Sequence, residues 1–249
     1  MKKLIEYLLN EKPQYSNIVI PWSEEERFRL YRSLVNIRKP CDISEEYLAS
    51  EDKFLQEKIA EKGVTDIADL SPVESNIYLW QGDITTLKCG AVVNAANSGM
   101  TGCYQPCHNC IDNCIHTFAG VRLRLECADI MRKQGREEQT GQAKLTSAYN
   151  LPCDYVIHTV GPVVQGKLTD RNCEMLKSCY KSCLETAVEN HIDSIAFCCI
   201  STGVFGFPKQ EAAEIAVKTV RGFLKNNSIK VIFNVFGDDD YAIYKRLLG

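Results

Sequence analysis

The sequence predicts an α/β fold, in which a largely buried sheet is covered by helices on both faces. From residue 76 onward, short apolar segments of strand length alternate with longer segments whose apolar residues recur at helical spacing. The strand-like segments, such as "IAFCCI" at 195–200, are nearly continuous apolar runs, which is typical of strands buried on both faces. The length of 249 residues suits one large domain, or one domain with a substantial extension.

Residues 1–75 form a separate helical extension in this prediction, and residues 76–249 form the α/β domain. The segment beginning at Ser23 opens with a helix-capping residue followed by acids, and a second segment of the same kind ends at Gly63. These residues are rich in charged and long aliphatic side chains, without clustered chemistry. We therefore expect a helical layer with a structural role.

Within the α/β domain, the pattern predicts six strands and three helices. Strands are predicted at 76–84, 89–97, 143–149, 155–162, 194–202 and 230–236, and helices at 113–135, 171–191 and 209–227.

Composition excludes several classes of function. The net charge is −3 and no basic stripe is present, so we expect no nucleic-acid partner, although backbone amides remain suited to a small anion. No apolar run approaches the length of a membrane span, and the first residues lack a signal-peptide cleavage site, so we predict a cytoplasmic protein. We also expect a monomer. The 13 cysteines are odd in number and unsuited to a disulfide framework.

Three segments at predicted strand ends are candidates for a ligand site: "GDIT" at 82–85, "NAANSGMTG" at 94–102 and "STGVFGFP" at 201–208. Ligands of open α/β sheets bind beyond the carboxyl ends of strands. Glycines allow close backbone approach, and successive N–H groups can cradle phosphate oxygens. Each segment alone is equally typical of an ordinary turn.

Taken together and in this order, "GDIT", "VVNAAN", "YVIHTVGP" and "STGVFGFP" resemble the macrodomain family of ADP-ribose binders. The loop "TGCYQPCHNC" and the N-terminal extension, with "LLNE" and "LYRSLVNIRKP", are similar to the zinc-dependent macrodomains of microbes, which are protein-ADP-ribose hydrolases. The resemblance implies a three-layer α/β/α mixed sheet with an N-terminal helical extension. It also implies removal of mono-ADP-ribose from modified proteins, from an acidic side chain.

The cysteine-rich segment at 102–116 has three interpretations from its residues. Four cysteines recur at helical spacing from Cys103 to Cys114, but Pro106 disfavours a helix there. A redox CxxC pair would begin at Cys107, but it lacks the usual place early in a βαβ unit. Thiolates and imidazoles are also the ligands that zinc prefers, and spacing alone does not say which of them bind.

The resemblance places Zn²⁺ on Cys103, His108 and Cys110, with the fourth position open. It implies catalytic roles for Asn97 and Asp112, although Asp112 also suits a helix start. His116 is interpreted as a scaffold residue.

The resemblance further implies how ADP-ribose is held. Asp83 would accept from the adenine amine and Ile84 would contact adenine through its backbone. Phe236 would stack on adenine, or alternatively belong to the core. Backbone groups would hold the diphosphate and Asn97 the distal ribose. The full set of expected ligand contacts is Asp83, Ile84, Asn97, Ile111, Asp112, Asn113, Ser201, Thr202, Gly203, Val204, Phe205, Gly206 and Phe236.

The sequence leaves two other functions open. One is a non-catalytic ADP-ribose reader whose zinc is structural, and the other is hydrolysis of a small ADP-ribose ester. The resemblance suggests a lipoyl-carrier protein as a possible modified partner, which the sequence itself does not name.

Overall fold

A computed structural model describes residues 1–249. The helices are α1 (Lys2–Asn10), α2 (Glu24–Ile37), α3 (Glu45–Lys62), α4 (Ile111–Ala119), α5 (Val121–Gln134), α6 (Asp170–Glu189), α7 (Lys209–Leu224) and α8 (Asp238–Leu248). The strands are β1 (Thr65–Asp66), β2 (Ile77–Gln81), β3 (Leu87–Lys88), β4 (Ala91–Ala96), β5 (Ala143–Ser147), β6 (Tyr155–Val160), β7 (Ser194–Phe197) and β8 (Lys230–Val235). None of the helices has the length and apolar character needed to cross a membrane.

Six strands form one mixed sheet in the order β2-β8-β7-β4-β6-β5. The first five are parallel to their neighbours, and only β5 runs antiparallel, against β6. The carboxyl ends of the five parallel strands therefore meet at one edge, where all three candidate segments lie. The predicted α/β class and mixed sheet are confirmed.

Helices cover both faces of this sheet. Helices α6, α7 and α8 pack together on one side, whereas α4 and α5 pack against β4 and β5. The apolar centres of β4, β6, β7 and β8 are buried between these layers. The strands are runs of valine, isoleucine and alanine, and such runs favour burial of the sheet on both faces.

The extension contributes α1, α2 and α3, which form a smaller apolar core together with Val121 of α5 and pack on α4. Ser23 and Ser44 cap α2 and α3 by accepting from backbone N–H groups, as capping serines should. Glu51 of α3 is buried and accepts from the hydroxyls of Tyr31 and Tyr47 and from the N–H of Val121. One carboxylate thus ties the extension to the start of α5.

The prediction of a single helix over 113–135 is wrong, because Gly120 divides it into α4 and α5. Gly120 has φ +92°, and a Cβ there would lie 2.8 Å from the Glu51 carboxylate. Helix α8 was not predicted at all; three aspartates in its first turn favour a helix start there. The strands predicted at 76–84 and 194–202 end earlier, at Gln81 and Phe197, where ligand-facing turns begin.

Candidate functional site

The three predicted metal ligands converge. The ligand atoms of Cys103, His108 and Cys110 all lie within 4.8 Å of one another, and Cys103 Sγ is 3.6 Å from His108 Nδ1. The segment between them is a loop, with Gly102 and Cys107 at positive φ, so the cysteines do not form a helical stripe. Cys107 lies outside the group, with its Sγ 3.3 Å from the Arg29 carbonyl. The structure therefore separates the three residues from the other cysteines of the segment.

This donor set fits zinc. Two thiols and one imidazole are the ligand types that zinc selects, and three protein ligands leave one tetrahedral position free. Burial raises the pKa of Cys110 to about 12. A divalent cation favours the thiolate, and the N–H of Asn113 already donates to Cys110 Sγ at 3.4 Å. The site thus offers a hydrogen bond that stabilises the metal-binding form of one ligand.

Asn97 and Asp112 meet directly beside this loop. The Asn97 amide donates to Asp112 Oδ2 at 3.2 Å and to the Gly102 carbonyl at 3.1 Å. Asn94 donates to the other carboxylate oxygen, Asp112 Oδ1, at 2.8 Å. Asp112 is only 4% exposed, and burial raises its pKa to about 6 although both amides favour the carboxylate. Asp112 lies in the first turn of α4, whose N-cap is Cys110, so the carboxylate orients side chains and does not cap the helix.

A second group of potential ligands, His116, Cys127 and His158, lies in the core behind Asp112. Both ring nitrogens of His158 have partners, Asn94 at 3.1 Å and Thr146 at 2.9 Å. His116 is buried and its ring nitrogens have no protein partner, with Nε2 3.6 Å from the Asp112 carboxylate. Burial lowers the pKa of both histidines, which favours their neutral forms. His116 packs in the core, whereas His158 belongs to the hydrogen-bond network of Asn94 and Thr146. The scaffold interpretation of His116 agrees with this position.

The loop after β7 offers unpaired backbone donors. Four of its N–H groups donate no hydrogen bond within the protein, namely those of Ser201, Gly203, Val204 and Phe205. Ser201 and Gly206 have positive φ, which turns the chain sharply. A Cβ on Gly203 would meet nothing within 4 Å, so open space adjoins this backbone. Such a run of free amides is suited to diphosphate oxygens.

The start of α4 supplies further amides at the same edge of the sheet. The N–H groups of Ile111 and Asp112 have no partner in the protein, and they stand at the positive end of the helix dipole. Asn113 differs, because its N–H lies against Cys110 Sγ and its side chain is fully buried.

The expected adenine contacts lie at the end of β2. Asp83 Oδ2 accepts from Lys62 Nζ at 2.7 Å, and Oδ1 accepts from the N–H and hydroxyl of Thr85. Burial opposes ionisation of Asp83, but the Lys62 and Thr85 donors outweigh it, and its pKa lies below the usual value. Phe236 is 81% exposed, so the core alternative is wrong, whereas Ile84 is buried. An exposed ring beside the sheet edge is available for stacking.

Comparison with known proteins decides the family. The Macro domain family model matches residues 93–216. A protein-ADP-ribose hydrolase of Treponema medium is 59% identical, over 99% of this chain and 97% of the relative. The chain belongs to the macrodomain family. A Staphylococcus aureus protein-ADP-ribose hydrolase is 51% identical to this macrodomain, over 100% of the chain and 96% of the relative.

Solved structures of the family share the architecture of this macrodomain. The Trypanosoma brucei macrodomain in complex with ADP-ribose is 33% identical with a TM-score of 0.68, covering 88% of this chain and 95% of that one. The Oceanobacillus iheyensis macrodomain with ADP is 36% identical with a TM-score of 0.65, covering 72% of this chain and 93% of that one. The predicted macrodomain-type fold is therefore confirmed.

Sequence reasoning missed several residues that shape this site. Lys62, Arg32 and Asn36 all come from the extension, which was given only a structural role. Asn94 lies in the strand predicted at 89–97, but the sequence does not identify it as a partner of Asp112. A polar residue inside the buried run "AVVNAA" is the one signal that pointed to it, because buried polar groups require partners.

Proposed function

We propose that this macrodomain is a zinc-dependent hydrolase that releases mono-ADP-ribose from modified proteins, with an acidic side chain as the modified residue. The observation that carries the proposal is the meeting of three zinc-type ligands within 4.8 Å, in a loop joined to Asn97 through the Gly102 carbonyl. Metal, Asn97 and the free amides of the diphosphate cradle then share one edge of the sheet. Relatives that match almost the whole chain are named protein-ADP-ribose hydrolases, which supports the same activity.

In this proposal the nucleotide spans the carboxyl ends of the strands. Asp83 accepts from the adenine amine while Phe236 stacks on the ring. The amides of the loop after β7 and of the α4 start bind the diphosphate, which places the distal ribose next to Asn97. Because these contacts are backbone amides and one carboxylate, the acidic net charge of −3 does not prevent binding of an anion.

At the reacting end, Asn97 contacts the distal ribose and Asp112 holds the Asn97 amide in place. Zinc bound to Cys103, His108 and Cys110 would supply a Lewis-acid centre for an oxygen at that end. Two thiolates neutralise the formal charge of the ion, so its polarising effect is weaker than in a three-histidine site. The buried Asp112 is then a positioning residue, since amides occupy both of its oxygens.

The full chain should be incubated with an automodified mono-ADP-ribosylated protein, and the released ADP-ribose measured by chromatography. We expect release with multiple turnovers. Parallel calorimetry should show binding of free ADP-ribose. A protein that binds free ADP-ribose but leaves the modified protein intact is a reader, and that result would refute the proposed activity.

We propose a mono-ADP-ribosylated lipoyl-carrier protein as one substrate. We also propose that the reaction takes place in the cytoplasm. A small ADP-ribose ester serves as the comparison substrate in the same assay. Faster release from the protein than from the ester at equal concentration is expected for a protein-ADP-ribose hydrolase.

A further inference from the structure

The extension reaches into the loop that carries the three metal ligands. Arg32 Nη2 of α2 donates to the His108 carbonyl at 2.7 Å and to Asn113 Oδ1 at 2.9 Å. One turn further along α2, Asn36 Oδ1 accepts from the N–H of Cys107 at 2.9 Å. Residues four apart on a helix share one face, so a single face of α2 holds this loop.

Asn113 connects Arg32 to the other two ligands. Its Nδ2 donates to the Cys103 carbonyl at 3.4 Å and to the Gln105 carbonyl at 2.9 Å. Its backbone N–H donates to Cys110 Sγ at 3.4 Å. Every proposed ligand residue is therefore one hydrogen bond away from Arg32 or Asn113.

The Arg32–Asn113 pair also has a defined geometry. Asn113 is fully buried, and its Oδ1 is oriented by the planar guanidinium through both Nε at 3.3 Å and Nη2. Arg32 thereby fixes which side of the Asn113 amide faces the Cys103 and Gln105 carbonyls. A lysine at this position has a single ammonium group and cannot donate to Asn113 Oδ1 from two nitrogens held in one plane.

We propose that Arg32 is a positioning residue for the metal site, acting through Asn113 to set the geometry of Cys103, His108 and Cys110. This inference rests on the proposed zinc site and deepens it. It gives the extension a role in the chemistry, because the loop lacks regular secondary structure and is held from outside by α2. Residues that orient metal ligands in this way commonly change metal affinity by about 10- to 100-fold when removed.

The test compares Arg32→Met with Arg32→Lys and with the control Arg29→Met, all in the full chain. Arg29 lies on the same helix, is exposed, and its side chain makes no hydrogen bond or ion pair. Zinc affinity is measured by competition with a chromogenic chelator. We expect a loss of roughly 10- to 100-fold for Arg32→Met, a smaller loss for Arg32→Lys and no change for Arg29→Met.

Two further readouts separate positioning from general stability. Cobalt substitution should give a ligand-field spectrum that shifts in Arg32→Met but not in Arg29→Met. Free ADP-ribose affinity should stay within twofold of the unmodified chain, since the nucleotide contacts lie elsewhere. If Arg32→Met does not fold, the zinc affinity and the cobalt spectrum of Arg32→Lys decide whether Arg32 positions the metal ligands.

The outcomes distinguish this inference from the proposed function. If the unmodified chain binds zinc but Arg32→Met and Arg32→Lys bind it equally tightly with an unchanged cobalt spectrum, the inference is wrong and the zinc site stands. If the unmodified chain binds no zinc, the metal part of the proposed function fails, and the inference fails with it.

Discussion

The side-chain amide of Asn97 donates to the buried carboxylate of Asp112 at 3.2 Å. Asp112 also accepts from Asn94, which in turn contacts His158 of the neighbouring strand β6. The register pairs Asn94 with His158, so two adjacent strands place these polar groups beneath the site. A buried network of this kind fixes the direction of Asn97 before any ligand arrives.

We expect Asp112→Asn to slow release of ADP-ribose by roughly 10- to 100-fold, because an amide opposite Asn97 and Asn94 cannot accept from both. Zinc content should stay unchanged, since Asp112 is not among the converging ligands. Steady-state kinetics with metal analysis checks this, and the exposed Asp154→Asn serves as the control. Full turnover by a metal-replete Asp112→Asn protein would remove Asp112 from the mechanism.

Asp83→Ala should weaken binding of free ADP-ribose by roughly 1.5–3 kcal/mol, the scale of a hydrogen bond to a charged group. Asp66→Ala is a matched control, because Asp66 likewise caps a short 3₁₀ turn and pairs with a lysine, Lys88, at 2.8 Å. Calorimetry should show the loss only for Asp83→Ala. Equal affinities for both variants would mean that adenine binds somewhere else.

Gly203→Val should block the diphosphate while leaving the fold intact. A Cβ at Gly203 has no neighbour within 4 Å in the protein, so the side chain would occupy the space that faces the free amides. Gly222→Val on α7 is the control, as a Cβ there also meets nothing. Gly206 is unsuitable, since its φ of +70° and the Val164 carbonyl at 3.1 Å predict strain. A folded Gly203→Val protein with normal ADP-ribose affinity would show that the cradle is misplaced.

Stability should fall in acid because of His158. Burial lowers its pKa from 6.5 to about 3 in the folded protein, so below pH 6.5 the unfolded chain binds a proton that the folded protein does not. The neutral His158 ring therefore makes its full contribution to the free energy of unfolding above pH 6.5. Below that pH, the contribution decreases by about 1.4 kcal/mol per pH unit until the pH approaches 3.

The measurement is urea unfolding between pH 7 and 5, for the unmodified chain and for His158→Gln. The lowered pKa of His116 acts with the same sign as that of His158, and the raised pKa of Asp112, about 6, acts with the opposite sign, so the difference between the two proteins is the informative quantity. We expect the free energy of unfolding of the unmodified chain, relative to that of His158→Gln, to decrease by about 2 kcal/mol between pH 7 and 5. Curves that stay parallel would contradict a neutral, buried His158.

Much of the fold could be predicted from local pattern. The capping serines, the helix stop at Gly63 and the apolar runs of the central strands are signals within a few residues of the elements they specify. The break at Gly120 is not apparent from the sequence, because apolar residues recur at helical spacing on both sides of it. The reason for a glycine there is the Glu51 carboxylate, which leaves no room for a Cβ and lies far away in sequence. Helix α8 begins with three acids and buries only Tyr244 and Leu248, so the face that it turns to the core is apparent only in the packed structure.

The site was predictable to the extent that its residues are contiguous. Cys103, His108 and Cys110 were selected by family resemblance, since spacing alone did not exclude Cys107. Arg32 gave no such signal, because its partners lie 76 to 82 residues along the chain. The same holds for Lys62, whose partner Asp83 lies 21 residues along the chain and is brought near it by packing of α3 beside the end of β2.

The most direct test of the central claim is hydrolysis by the zinc-stripped but folded protein. Metal should be removed with a chelator, folding verified by circular dichroism and by binding of free ADP-ribose, and release from a mono-ADP-ribosylated protein then measured. Cys110→Ser should behave like the stripped protein, whereas Cys107→Ser should behave like the unmodified chain. Loss of release with nucleotide binding retained, and recovery on adding zinc, is the predicted result. Release at the native rate by the stripped, folded protein would contradict a catalytic zinc.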